Sequence, residues 1–432
     1  MLTREENELL CRVGPETAMG QMLRRYWLPA MLSSELPEAD GDPKRLRLLG
    51  EDLVAFRDTH GRVGVLDENC PHRGASLVLA RNEDCGLTCL YHGWRIDVQG
   101  NVLDTPAEPE ESDFRNRVKA TAYATRELGG LIWVYMGLPG SEPQFPTFAW
   151  TALPDSHVSI IKVENQCNWV QALEGVLDSA HVSILHSTEV AHVQGSDAPA
   201  GGRNAYTTEG DVVLHAPTID RRPRFEVEDT PYGYWYSATR RPVVDPDTTK
   251  YVRTTHFVAP FWGLFPPPAG IGNMQAFVPV DDEHTYFIYI QYSHAGPLDK
   301  RKLQEIAGTV PGVAIDEHFR LIHGRHDNWG QDRTAMKSGR SFTGLTGINV
   351  QDFVVQESMG PIYDRRKEHL GVSDVAVIRM RRVLLDSLEC CQRGDPPIGL
   401  QQPIPYAKLS GADAVIPIDA PWQTVGSIDV QV

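Results

Sequence analysis

Positive charge is scarce in this chain: 41 Lys and Arg against 57 Asp and Glu leave a formal net charge of -16. That balance argues against a protein that binds nucleic acid through its phosphates, although it says nothing about the charge of a small substrate. Long apolar runs are missing too. With 41% hydrophobic residues, 23% charged residues and a mean hydropathy of -0.31, the composition is that of a soluble globular protein, and no stretch is long enough to span a bilayer. The opening residues Met1 to Glu8 are acidic and polar, so no secretory signal is expected. Seven cysteines, an odd number, do not make a disulfide framework, and a cytoplasmic location is expected. Internal repeats, low-complexity segments, a Gly-x-Gly-x-x-Gly between strand and helix, and a plant-type cysteine run are all lacking. The chain therefore has no evident nicotinamide, flavin or ferredoxin module, and redox chemistry would need a separate reductase.

What is present is two short pairs of cysteine and histidine, Cys70-Pro-His72-Arg-Gly74 and Cys89-Leu-Tyr-His92-Gly93-Trp94, with 16 residues between His72 and Cys89. Two thiolates and two imidazoles offered from two loops suit a Rieske [2Fe-2S] cluster, each loop giving one sulfur to the inner iron and one nitrogen to the outer. Gly74 and Gly93 would let the backbone turn closely around it. A structural zinc also takes two cysteines and two histidines, but usually with the cysteines paired together. Cys85 lies between the loops and reads as an ordinary thiol, since four ligands are already supplied.

A second cluster of polar groups follows in Cys167 to His186, which holds Glu174, Asp178, His181 and His186 among Leu173, Val176, Leu177, Val182, Ile184 and Leu185. Burying so many ionisable groups in an apolar segment is costly unless they are paired or bind metal. Non-haem iron(II) is held by two histidines and one carboxylate with open positions left for oxygen, and His181 with His186 is the natural nitrogen pair. Five residues rotate by about 140° on a regular helix, so the two imidazoles converge only if the helix is broken or carries a π-bulge. Asp178, three residues before His181, can hydrogen-bond its ring NH without binding metal itself. A helix with solvent-facing histidines is the bland alternative.

Together the two segments resemble the Rieske motif and iron-binding stretch of the aromatic-ring-hydroxylating oxygenases, large subunit. The opening Arg-Val-Gly-Pro, the Leu-Arg-Arg-Tyr-Trp run and the overall length are similar to the phthalate dioxygenase and chlorobenzoate dioxygenase branch across nearly the whole chain. The resemblance implies a third iron ligand in the C-terminal half. Asp352 in Asn349-Val-Gln-Asp352-Phe-Val-Val-Gln-Glu357 is the local match, with Glu357 as fallback. It further implies a homotrimer, or a dimer of trimers, in which the cluster of one subunit lies beside the iron of its neighbour, bridged from His92 through Asp178 to His181. The implied reaction is hydroxylation of an aromatic carboxylate such as phthalate or a chlorobenzoate, with electrons from a flavin and iron-sulfur reductase.

The 432 residues and 48.1 kDa allow one small domain of about a hundred residues and a larger one. Short alternating runs from Arg45 to Leu66, with the two loops among them and Gly130 to Gly137 closing the stretch, predict an all-β Rieske domain over 41–150. Residues 1–40 read as a helical segment packing on the catalytic domain. Residues 151–432 read as an α+β catalytic domain, a helix-covered antiparallel sheet with strands near Tyr234 to Arg241 and Thr285 to Tyr292 and helices at about 298–307 and 373–392.

For the substrate, Arg203, Arg240 and Arg241 lie in the catalytic half, and a guanidinium grips a carboxylate with two hydrogen bonds. Strand alternation sends Arg240 and Arg241 to opposite faces; an inward arginine with Ser179 near the iron favours an aromatic acid. Two rivals stand beside this reading: a Rieske monooxygenase or O-demethylase acting on methoxy- or phenoxybenzoates, and an electron carrier or zinc-stabilised binding protein.

Overall fold

The computed structural model describes residues 2–109, 111–188, 220–242, 245–266 and 271–426, which gather into two compact units. The smaller unit takes Arg12–Pro146 with Val278–Asp282; the larger takes Met1–Cys11, Thr147–Phe277 and Glu283–Val432.

The smaller unit is built on a six-stranded sheet in the order Trp27–Leu32, Leu131–Tyr135, Ala122–Leu128, Val63–Asp67, Glu51–Arg57 and Lys44–Leu48, antiparallel throughout. Its alternating apolar residues bury one face, where Val54, Phe56, Leu66, Leu77, Leu87, Trp94 and Ile96 form a core that also encloses Cys70 and Cys89. A second sheet of four short strands, Arg81–Glu83, Gly86–Thr88, Arg95–Ile96 and Val102–Asp104, frames the second cysteine-histidine loop. Trp27–Leu32 is a strand at the sheet edge, the place where Pro29 is tolerated because no ladder N–H is missed.

The segment 1–40 is thus divided. The helix Arg4–Cys11 belongs with the larger unit, where Leu10 and Cys11 are buried. The Trp169 indole donates to the Leu10 carbonyl at 3.1 Å and the Asn168 amide to the Cys11 carbonyl at 2.9 Å. The remainder folds with the smaller unit.

The larger unit carries an eight-stranded sheet in the order Val158–Asn165, Thr285–Ser293, Ile271–Pro279, Trp262–Phe265, Thr249–Val258, Gly233–Arg240 and Arg224–Thr230, with Ala412–Pro417 also paired to Thr249–Val258. The helices Trp169–Leu177, Ile348–Ser358 and Val375–Gln392 pack in the same unit. Asn168 starts the first of them, its side chain accepting from the Val170 N–H. Glu174 on this helix is gripped by Arg365 at 2.8 and 3.1 Å and by Arg381 at 2.7 Å, and Arg381 also pairs with Glu368. Burial alone would raise the Glu174 carboxyl, but the two guanidiniums hold it below the usual range. Glu174 therefore ties helices together and is not free for the metal chemistry its position in the sequence suggested. Among the described residues no helix is long and apolar enough to cross a membrane.

Candidate metal centres and active site

The two cysteine-histidine loops have one backbone geometry despite their unequal spacing. The Cys70 N–H donates to the Ala75 carbonyl at 2.8 Å and the Gly74 N–H to the Cys70 carbonyl at 2.9 Å; the Cys89 N–H donates to the Trp94 carbonyl at 2.8 Å and the Gly93 N–H to the Cys89 carbonyl at 2.9 Å. Gly74 and Gly93 both take left-handed conformations, φ 75° and 72°, which strain any residue with a side chain. A Cβ on Gly93 would also stand 2.7 Å from Pro106.

The loops bring like donors together: Cys70 contacts Cys89, and the His72 and His92 rings lie 4.5 Å apart, with His72 stacked on Trp94. Burial pushes the Cys70 thiol up to about 11, opposed by the backbone amides of His72 and Arg73 that face its sulfur. The His72 Nδ1 is buried with no hydrogen-bond partner. Orphaned nitrogen and paired sulfurs are donors in want of a metal. A single tetrahedral zinc, with bonds of about 2.0–2.3 Å, would hold all four donors within about 4 Å of one another. Among the described residues the only group of three or more such donors converging within 4.8 Å is His181, His186 and Asp352. Sulfur beside sulfur and imidazole beside imidazole is the arrangement that two irons would share, one taking the thiolates and the other the imidazoles. Cys85 sits half-buried at a turn away from these loops.

The second site forms where the helix Trp169–Leu177 stops. Asp178 caps it with an extended ψ of 98°, and His181–Ser183 is a single 3-10 turn, so the chain breaks between Asp178 and His181 as the five-residue spacing requires. The His181 and His186 Nε2 atoms come within 3.2 Å of each other. Asp352, on the helix Ile348–Ser358, places Oδ1 3.1 Å from His186 Nε2 and 3.5 Å from His181 Nε2. Donors at right angles around an ion with bonds of about 2.1 Å stand about 3 Å apart. Asp178 faces the far side of His181, Oδ2 3.5 Å from Nδ1, and accepts the Ala180 N–H on Oδ1 at 2.7 Å. Burial would raise this carboxyl, but His181 and the backbone amides bring it below the ordinary range. With Nδ1 of His181 directed to a carboxylate, the lone pair of Nε2 points at the other two donors, and three electron-rich atoms so close together call for a cation. The residues fit an iron of the two-histidine, one-carboxylate kind. Glu357 is committed elsewhere, accepting from the Trp329 indole at 2.7 Å and the Gln166 N–H at 3.1 Å.

A cavity of about 230 Å³ opens on these donors, walled by Val176, Val182, Phe265, Phe277, Phe287 and Tyr289 with Asn273, Gln275 and Gln291 among them. Ser179 lines it. Arg240 is buried, donating to the Ser179 carbonyl at 2.7 Å and its Oγ at 3.4 Å. Burial and the neighbouring Arg253 push its guanidinium down to about 10. Arg241 turns outward to Asp247, and Arg203 lies outside the described residues. Two residues at this site went unread in the sequence, one in the cavity wall and one behind His186. Arg253 lines the cavity with a buried, unpartnered Nε; the alternation Tyr251, Arg253, Thr255 along one strand was its only signal. Gln351, the residue before Asp352 in the chain, had none.

A small β-rich unit with a two-iron binding pattern, joined in one chain to a helix-covered sheet bearing a two-histidine, one-carboxylate site, defines a Rieske-type non-haem iron oxygenase. The Rieske [2Fe-2S] domain family matches residues 26–123, and the family described as LigXa C-terminal domain like matches residues 134–432. The phthalate 4,5-dioxygenase oxygenase subunit of Pseudomonas putida is 44% identical over 98% of this chain and 94% of its own length. The 3-chlorobenzoate-3,4-dioxygenase oxygenase subunit of Comamonas testosteroni is 35% identical over 98% of each. The caffeine-bound NdmA QL mutant of Pseudomonas putida CBB5 shares the fold, with a TM-score of 0.57 and 19% identity over 88% of this chain and 94% of that one. The chain belongs to the Rieske oxygenase large subunits with a LigXa-type C-terminal domain.

Proposed function

We propose that this chain is the terminal oxygenase of a multicomponent system that hydroxylates an aromatic carboxylate, by cis-dihydroxylation of a phthalate or a substituted benzoate. The observation that carries the substrate class is the cavity beside the three donors, whose aromatic and aliphatic walls suit a ring and to which Arg253 brings a buried Nε without a hydrogen-bond partner; the carboxylate its charge reaches across the strands is Asp413, itself held by the Tyr251 hydroxyl. A carboxylate is the group whose two oxygens match a guanidinium. The printed activities of the two relatives, on phthalate and on 3-chlorobenzoate, support the same class.

When bound, the cluster would supply single electrons and the mononuclear iron would supply dioxygen activation. The chain's residues do the remainder. Phe277, Phe287 and Val176 hold the ring and exclude water; Arg253 orients the carboxylate; Arg240 braces the Ser179 carbonyl, and with it the turn between Asp178 and His181. Asp178 keeps the Nδ1 hydrogen on His181. We place the working unit in a homotrimer in the cytoplasm, where His92 of one copy meets Asp178 of the next. The partly exposed His92, flanked by exposed Leu90 and Tyr91, suits that contact. Electrons would come from a separate NAD(P)H-dependent flavin and iron-sulfur reductase.

Turnover with such a reductase, labelled dioxygen and a panel of aromatic acids tests the reading. The expected product is a cis-diol carrying two labelled oxygens. One labelled atom together with an aldehyde would assign O-demethylation instead, and no turnover of any aromatic acid would contradict the substrate class. Arg253→Met, with metal content unchanged, should raise KM for the acid by about tenfold or more, the worth of one charge-assisted contact.

A further inference from the structure

Gln351 is fully buried between the iron-site histidine and a neighbouring turn. Its side-chain Nε2 donates to the Thr343 Oγ1 at 3.0 Å and to the Leu345 carbonyl at 3.2 Å, while its Oε1 lies 2.8 Å from His186 Nδ1. A backbone carbonyl only accepts, so turning the amide round would set oxygen against oxygen at Leu345. With Oε1 thus committed to the ring, His186 Nδ1 must carry the hydrogen. The lone pair of Nε2 is then directed at Asp352 Oδ1, 3.1 Å away, and at His181 Nε2, 3.2 Å away.

We propose that Gln351 is the positioning residue of His186: it selects the imidazole tautomer able to bind iron and holds the ring in register with Asp352, the next residue on the same helix. The support behind it is ordered. Thr343 is buried, its Oγ1 accepts the Leu345 N–H at 3.1 Å, and the Gly344 N–H is held by the Ser341 Oγ at 2.9 Å. The two histidines are consequently backed unequally, His181 by the carboxylate of Asp178 and His186 by a neutral amide. A neutral backing keeps the negative charge near the iron to Asp352 and Asp178.

The inference rests on the iron reading of the site, and two variants separate it from simple space filling. Gln351→Leu removes both the acceptor facing His186 and the donors to the turn. Gln351→Glu keeps an acceptor facing His186 but cannot donate to the Leu345 carbonyl. Affinity of the iron-depleted chain for ferrous ion, read by competition with a chelator, is compared with the thermal midpoint and with the paramagnetic spectrum of the nitric oxide adduct. Both variants should melt earlier than wild type. Only Gln351→Leu should lose iron affinity, by about 10–100-fold, with an altered nitrosyl spectrum, while Gln351→Glu, which puts a carboxylate behind His186, binds iron at least as tightly as wild type. Equal losses in both variants, or no loss in either, would overturn the proposal. A wild-type chain that binds no ferrous ion at His181, His186 and Asp352 would overturn the site reading, and this proposal with it.

Discussion

Asp178→Asn is expected to slow turnover by about one to two orders of magnitude while leaving the spectrum of the cluster unchanged. The reason is local. Oδ1 of Asp178 already accepts the Ala180 N–H at 2.7 Å, so an asparagine would keep its oxygen there and turn its amide nitrogen toward His181 Nδ1. A donor would then face a donor. His181 would favour the opposite tautomer, whose Nε2–H points into the space between His186 and Asp352. Loading with saturating ferrous ion should restore metal content but not the rate, because the lost carboxylate charge is also what raises the basicity of the imidazole and carries the proposed link to His92 of a neighbouring copy. Single-turnover reoxidation of the reduced cluster measures this directly; a wild-type rate would remove Asp178 from electron transfer.

The second large effect is expected from His181→Ala and His186→Ala. Each removes one of three converging donors, and two remaining ligands do not hold the ion at working concentrations. Oxygenation should fall to background in both variants, and the mononuclear iron should be lost on gel filtration. The cluster should survive, because Cys70, His72, Cys89 and His92 belong to a different compact unit from His181 and His186. Retained turnover in either variant would show that the iron is held elsewhere.

The pairing of the two cysteine-histidine loops was legible in the sequence because each is local: four donors on two tight turns, each turn marked by the glycine its backbone demands. The histidine pair was legible for a similar reason, and its awkward spacing even announced the break after Leu177. Contacts made across the fold were harder to read. Glu174 has the look of a site acid until Arg365 and Arg381, far along the chain, consume it. Trp27–Leu32 hides its strand behind Pro29 and shows it only at a sheet edge. Arg240 does face inward, yet it is spent on the Ser179 carbonyl, and the guanidinium lining the cavity is Arg253, whose place depends on pairing with Ala238 on one side and Asp413 on the other. Gln351 acquires meaning only once the Leu345 carbonyl is seen beside it.

Iron and acid-labile sulfide, counted per chain in the purified protein, test the two-centre account most directly. One two-iron cluster and one mononuclear site require about three irons and two sulfides, with the absorbance and reduced-state paramagnetic signal of a histidine-ligated cluster. Zinc in place of iron, with no sulfide, would contradict it.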